Sequence, residues 1–296
     1  MVGDWSHFCR RIDHAVVAFA LGCCLATLGW STKSIAQDKA AGPTRDELLK
    51  TFRDEFVSLK PGVKPFPART FVQETVSQTL QNADQRRVEF VDEFAISKYE
   101  VTQEVWTAVM GSNPSRWQGP RNSVERLSYA EAVEFCRRMT KLLRDKELIP
   151  AKAIVRLPTE CEWEYACRAG SATRYSFGDD VEQLDAHAWH TGNAAGNDPP
   201  VGALKANPWG LYDMHGYLWE WCLSDPADPE SLISPMDEQW WKRSDGDQAV
   251  VRGGSWKDPA PQLTSGYRRI IERDSRDDAI GLRCVLIVPR EKAHDE

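Results

Sequence analysis

Asn207-Pro208-Trp209-Gly210-Leu211-Tyr212-Asp213-Met214-His215-Gly216-Tyr217-Leu218-Trp219-Glu220-Trp221 is the most distinctive segment of this chain. It lies in a long region beyond Gly170 that is rich in Gly, Pro, Asn and Trp and reads as loops and short strands. Loops that cannot pair their backbone within regular elements must find side chains, disulfides or ions as partners. The 12 tryptophans of the chain supply packing area of the kind an irregular core requires.

Outward from this region the signals become regular. Ser128 with Glu131 and Thr159 with Glu162 each match a capping box, in which a hydroxyl and a carboxylate reciprocally satisfy orphan N–H groups at a helix start. Apolar stripes follow both: Ala132, Phe135, Cys136, Met139 and Leu143 in the first, Trp163, Ala166 and Cys167 in the second. This spacing points Cys136 and Cys167 inward. Strand-like patterns run from Arg87 through Val88, Phe90, Val91, Phe94 and Ile96 to Tyr99, and again at Ala249 to Arg252 and Gly281 to Val288. Strands at both ends with two helices between indicate an α+β domain with much irregular structure.

The 296 residues, 42% hydrophobic, can bury a substantial core. A formal charge of -7 and a pI near 5.5 supply no electrostatic footprint for phosphate backbones or anionic lipid, so nucleic acid is not expected as a partner. Arg10 and Arg11 precede an apolar stretch from Ala15 to Trp30, and Ser34-Ile35-Ala36 forms a small-residue cleavage pattern. Residues 1–36 therefore read as a signal peptide, with no membrane span left after cleavage and a periplasmic or secreted product. Leu21-Gly22-Cys23 leaves a lipoprotein signal as an alternative. Residues 37–67 read as a flexible linker and an amphipathic helix from Asp46 to Leu59, with Leu49, Phe52, Phe56 and Leu59 on one side, ended by the Pro and Gly cluster from Pro61 to Pro67. A domain over residues 68–288 and a charged tail over 289–296 complete the expected organisation.

Export makes disulfides admissible. Beyond the leader stand Cys136, Cys161, Cys167, Cys222 and Cys284, an odd set that leaves at least one thiol without an intramolecular partner. No Cys-x-x-Cys occurs among them to suggest structural zinc.

Five blocks carry a resemblance. They are Tyr99-Glu100-Val101-Thr102-Gln103-Glu104-Val105-Trp106, the run Arg156-Leu157-Pro158-Thr159 to Arg168, the 207–221 stretch, Arg252-Gly253-Gly254-Ser255-Trp256, and Gly281-Leu282-Arg283-Cys284. In this order they resemble the successive signatures of the formylglycine-generating-enzyme, or sulfatase-modifying-factor, family over roughly residues 86 to 288. The resemblance implies a C-type-lectin-like fold. Active members oxidise a cysteine of an unfolded sulfatase segment to formylglycine, using oxygen and a copper(I) ion held by two thiolates, the soft ligands that copper(I) prefers. Those cysteines stand three and eight residues after the serine that is Ser255 here, where this chain has Asp258 and Leu263. A carboxylate and an aliphatic make no bis-thiolate site, so copper is not expected.

Other family features carry over. Cys136 and Cys284 match a disulfide joining the first helix to the last strand, and Cys161 with Cys222 is a possible second bond beside the alternative of buried free thiols. Residues 213–220 resemble a calcium loop, whose side chains would come from Asp213 and Glu220 and whose carbonyls from Gly216 and Leu218; hard oxygen ligands suit calcium. The alternative is that Glu220 ties the loop through hydrogen bonds alone. His187 and His190 could present a metal-binding pair near Asp185, against a packing role beside Trp189.

Around the altered centre, Ser255, Trp256, Asp258, Tyr267, Arg268 and Arg269 are the candidates for a binding cleft, and Asp274, Arg276, Asp277 and Asp278 follow as a charged stretch. Such a cleft could hold an extended peptide through main-chain pairing and a few pockets. The expected function is that of an exported, non-catalytic member of the family binding a protein or peptide. The alternative is a formylglycine-generating or related metal-dependent oxidase acting on sulfatases or another substrate.

Overall fold

A computed structural model describes residues 42–64, 66, 70–76, 84–90, 93–194, 198–223 and 246–288. The leader over 1–36, most of the linker and the 289–296 tail lie outside the described residues. No helix among the described residues is long and apolar enough to cross a membrane.

Helix α1 (Arg45–Asp54) starts at a capping box that Thr44 makes with Glu47. It ends earlier than the apolar spacing suggests. Phe56 and Leu59 lie not on a continued helix but on strand β1 (Phe56–Leu59), which pairs antiparallel with β4 (Phe94–Ser97). Ladder bonds to β4 satisfy this backbone better than another helical turn would, because Leu59 and Phe94 then enter the core together. Leu48, Leu49 and Phe52 of α1 pack in the principal core, with the Phe52 ring edge-on to Phe135 at 6.2 Å. The helix is thus part of the domain, and the compact unit runs from Pro43 rather than from residue 68.

Between these elements come β2 (Thr70–Thr75) and β3 (Asp84–Glu89), an antiparallel pair. After β4 follow α2 (Gln103–Met110), α3 (Tyr129–Asp145), β5 (Ile154–Arg156) and α4 (Glu160–Arg168). Both expected capping boxes are present, Ser128 with Glu131 and Thr159 with Glu162. Ala132, Phe135, Cys136, Met139 and Leu143 of α3 are all fully buried, as their spacing requires. Every residue of α4 is buried, its acids included, because Arg156, Arg168 and Arg252 neutralise them from inside the fold.

The remaining strands are β6 (Trp219–Trp221), β7 (Gln248–Arg252), β8 (Arg268–Glu272), β9 (Ile280–Gly281) and β10 (Val285–Ile287). Two four-stranded sheets result, ordered β1-β4-β10-β5 and β8-β7-β6-β9. Long loops join them, as an α+β chain with a large irregular fraction demands. Buried arginines serve as staples. Arg283 donates to the carbonyls of Ser97, Lys98 and Tyr212 and to both oxygens of Glu220, and Arg252 donates to the carbonyls of Ser265 and Gly266 and to the acids of Glu160 and Glu164.

Candidate functional site

The β8-β7-β6-β9 sheet carries a cleft of about 460 Å³, formed by Trp219 of β6, Val251 of β7, Arg269 and Ile271 of β8, and the loops through Ser255–Asp258 and Ser275–Ile280. The turn after β7 sets its geometry. Gly253 (φ 100°) and Gly254 (φ 73°) lie in the left-handed region, and a Cβ on Gly254 would stand 2.9 Å from the Gln262 carbonyl. The turn brings Ser255, fully buried, against the acid three residues on. Asp258 Oδ2 accepts hydrogen bonds from Trp219 Nε1 at 2.8 Å and from Ser255 Oγ, while Ser255 Oγ accepts from the Lys257 N–H at 3.2 Å. Asp258 is only 8% exposed, and no donor among the described residues reaches its Oδ1.

The charges of the cleft are mostly neutralised locally. Lys257 Nζ pairs with Asp277 at 2.6 Å and with Asp278; desolvation opposes its charge, and these acids outweigh it, so its pKa is raised. Arg276 pairs with Glu131 at 3.0 Å. Arg269 is exposed, its guanidinium 5.6 Å from the Trp219 ring centroid, with no acid paired to it among the described residues.

Of the expected cleft residues, the structure brings together Ser255, Asp258 and Arg269. Trp256 turns aside and donates through Nε1 to the Asp278 carbonyl at 3.0 Å. Tyr267 is buried beneath the cleft, its ring 6.1 Å from that of Trp219. Arg268 points to the opposite face of the sheet from Arg269, as strand alternation demands, and meets Glu160 in the interior. In the charged stretch, Arg276 and Asp277 line the cleft; Asp278 instead holds Lys257 and Arg116. Sequence reasoning missed Trp219, Val251, Lys257, Ile271, Ser275, Ala279 and Ile280 as lining residues. Trp219 alone carried a signal, as the buried aromatic of a signature block.

Leu263 does not face the cleft. It is fully buried with Tyr175, Leu184 and Ala188, in contact distance of positions 216 and 254, at the end of a single 3₁₀ turn from Ala260 to Leu263. The donors therefore do not fit copper(I): one position is a carboxylate already accepting two hydrogen bonds, and the other is hydrocarbon turned away. None of the five cysteines lines the cleft, and all are buried.

Asp213 (φ 59°) accepts from the Gly202 N–H at 2.8 Å through Oδ2. Both oxygens of Glu220 accept from Arg283, and Oε2 also from Trp163 Nε1 at 2.6 Å. Glu100 joins them, accepting the Leu218 N–H through Oε1. Burial pushes the Asp213 carboxyl up to about 6, and burial followed by the charges of Glu220 and Asp213 pushes Glu100 well above the ordinary carboxylate range. Three buried acids thus surround one guanidinium. Oxygen donors and negative charge of this kind suit a hard divalent cation, which Asp213 and Glu220 would hold, although Arg283 already takes both Glu220 oxygens. Among the described residues, no three Asp, Glu, His or Cys side chains converge as a metal site by themselves.

The remaining candidates have structural partners. His187 stacks on Phe177 at 4.3 Å between ring centroids, while His190 Nε2 meets Asp185 at 2.7 Å, so the two rings serve different contacts. Cys136 and Cys284 sulfurs lie 3.8 Å apart as thiols. Cys161 faces Arg86 at 2.8 Å and Gln73 at 3.2 Å, whereas Cys222 faces the Glu220 carbonyl.

Comparison with known proteins follows the same lines. Residues 48–288 match the Sulfatase-modifying factor enzyme 1-like domain. The chain is 31% identical over 238 residues to Chaperone protein LppX of Paenibacillus barcinonensis, covering 66% of this chain and 80% of that one. It is 31% identical over 144 residues to the inactive C-alpha-formylglycine-generating enzyme 2 of Bos taurus, covering 44% of this chain and 43% of that protein. The chain spans half or less of the formylglycine-generating and hercynine oxygenase relatives. Among solved structures, PvdO from Pseudomonas aeruginosa superimposes with a TM-score of 0.61 at 26% identity, covering 79% of this chain and 94% of that one. The fold is accordingly the C-type-lectin-like fold of the formylglycine-generating type, and the chain belongs to the sulfatase-modifying-factor family.

Proposed function

We propose that this protein is an exported, non-catalytic member of the family that binds a protein or peptide in the Asp258 cleft. The single observation that carries the reading is the fate of the two thiolate positions. One is an acid clamped by Trp219 and Ser255, the other a leucine buried in a separate apolar cluster, so the family's copper chemistry has no sulfur to act through. A cleft is present over Asp258, lined by both polar and apolar side chains as a peptide ligand requires. Two relatives support this reading by their names, one a chaperone and one an inactive formylglycine-generating enzyme. Export rests on the apolar leader and its cleavage pattern. Calcium bound by Asp213, Glu220 and the carbonyls of Gly216 and Leu218 would brace the loop that holds Trp219. It supports the cleft and takes no part in any reaction.

The test is direct. Purified protein is loaded with copper(I), analysed for bound metal, and assayed for oxygen consumption with a cysteine-containing sulfatase peptide. The reading expects neither stoichiometric copper nor turnover. Oxygen-dependent loss of the peptide thiol would overturn it in favour of a metal-dependent oxidase of the family.

A further inference from the structure

Building on the peptide-binding reading, we infer that the cleft selects a basic side chain, with the amine or guanidinium of a lysine or arginine of the bound polypeptide donating to Asp258 Oδ1. Asp258 is more than nine-tenths buried and lines the cleft. Its Oδ2 is fully occupied by Ser255 and Trp219, which fixes the carboxylate plane, while Oδ1 has no donor among the described residues. Oδ1 is not one of the buried polar atoms left without a partner, so it opens to the cleft, and a ligand cation that reaches it gains a charge-assisted hydrogen bond on a carboxylate already held in place.

No cation among the described residues does that work. Lys257 is held by Asp277 and Asp278, and Arg276 by Glu131; Arg269 forms no ion pair with Asp258 and instead lies over the Trp219 ring. The walls are Val251, Ile271, Ala279 and Ile280, hydrocarbon that suits the methylene stem of a long basic side chain. An aliphatic stem capped by a cation matches this pairing of hydrocarbon with a carboxylate. Arg269, exposed and with no acid paired to it among the described residues, is placed to donate to a main-chain carbonyl of the same ligand. Asp258 and Arg269, the two charges of the site without an ion pair among the described residues, thereby act on different parts of one polypeptide.

The experiment uses the full chain after leader removal and four heptapeptides, Gly-Ser-Val-X-Val-Ser-Gly with X lysine, acetyl-lysine, norleucine or glutamate, titrated calorimetrically. Lysine is expected to bind most tightly, with acetyl-lysine and norleucine weaker by on the order of 10- to 100-fold, the range of one charge-assisted hydrogen bond, and glutamate weaker still. Asp258→Asn keeps an acceptor for Trp219 and Ser255 and is expected to abolish the preference for lysine over norleucine. The comparison among peptides on the unaltered chain does not depend on that variant folding. Equal binding of all four would overturn the inference and leave the peptide-binding reading standing. Failure of all four to bind at millimolar concentration would overturn both.

Discussion

Asp213→Asn removes one of three buried acids around Arg283 while keeping an oxygen to accept from Gly202 and a residue that tolerates the left-handed backbone at this position. The folded protein holds the Asp213 proton up to about pH 6, against an ordinary value of 3.8. Between these values the unfolded chain has lost a proton that the folded chain keeps, so the unfolded state binds fewer protons and stability falls as pH rises. The contribution is absent below about pH 4 and fully expressed above about pH 6, where it amounts to on the order of 3 kcal/mol. Glu100 is displaced in the same direction, chiefly by burial, and deepens the loss. Urea unfolding of both proteins in EDTA, at intervals from pH 4 to 7, measures the difference. The unaltered protein is expected to lose about 3 kcal/mol more than the variant across that range. Calcium at 100 times its dissociation constant would restore about 2.7 kcal/mol to the unaltered protein at pH 7, and less to the variant. Parallel pH profiles for the two proteins would refute the reasoning, since the burial of the carboxyl would then cost nothing.

Further outcomes follow from other parts of the structure. Oxidative refolding is expected to join Cys136 to Cys284, whose sulfurs already lie 3.8 Å apart; mass spectrometry of non-reduced digests would show the linked peptides, and Cys136→Ser is expected to cost up to about 5 kcal/mol for so long a loop. Arg283→Met takes the guanidinium from three carbonyls and leaves buried Glu220 with Trp163 Nε1 but no counter-charge, and should destabilise by about 3–5 kcal/mol in chemical denaturation. Burial pushes the Cys161 and Cys167 thiols up to about 12, so both should resist a thiol reagent at pH 8 in the native protein and react at once in urea.

Some of this architecture was legible because it is local. A capping box needs four residues, and an apolar stripe needs one helix, so α3 and α4 could be placed from Ser128, Thr159 and their followers alone. Strands β5 and β8 could not. Each is short, and β8 alternates between the buried Arg268 and the exposed Arg269, a pattern without an apolar face; both exist because of partners far away in the chain. Phe56 and Leu59 fitted a helical stripe equally well, and only the ladder to β4 drew them into a strand.

The altered centre divides the same way. Residue identity by itself removed the thiolates: Asp258 and Leu263 cannot supply sulfur whatever the fold, since ligand softness belongs to the side chain. Where those two side chains go is a tertiary matter. A single turn from Ala260 to Leu263 separates them, yet the close approach of Gly254 and Gly216 draws Leu263 into one apolar cluster. The indole of Trp219, 39 residues from Asp258 in sequence, holds the carboxylate at the floor of a cleft. Composition and motif set the chemical vocabulary of the chain; the convergence of distant segments, which no local pattern encodes, decided which of those groups meet.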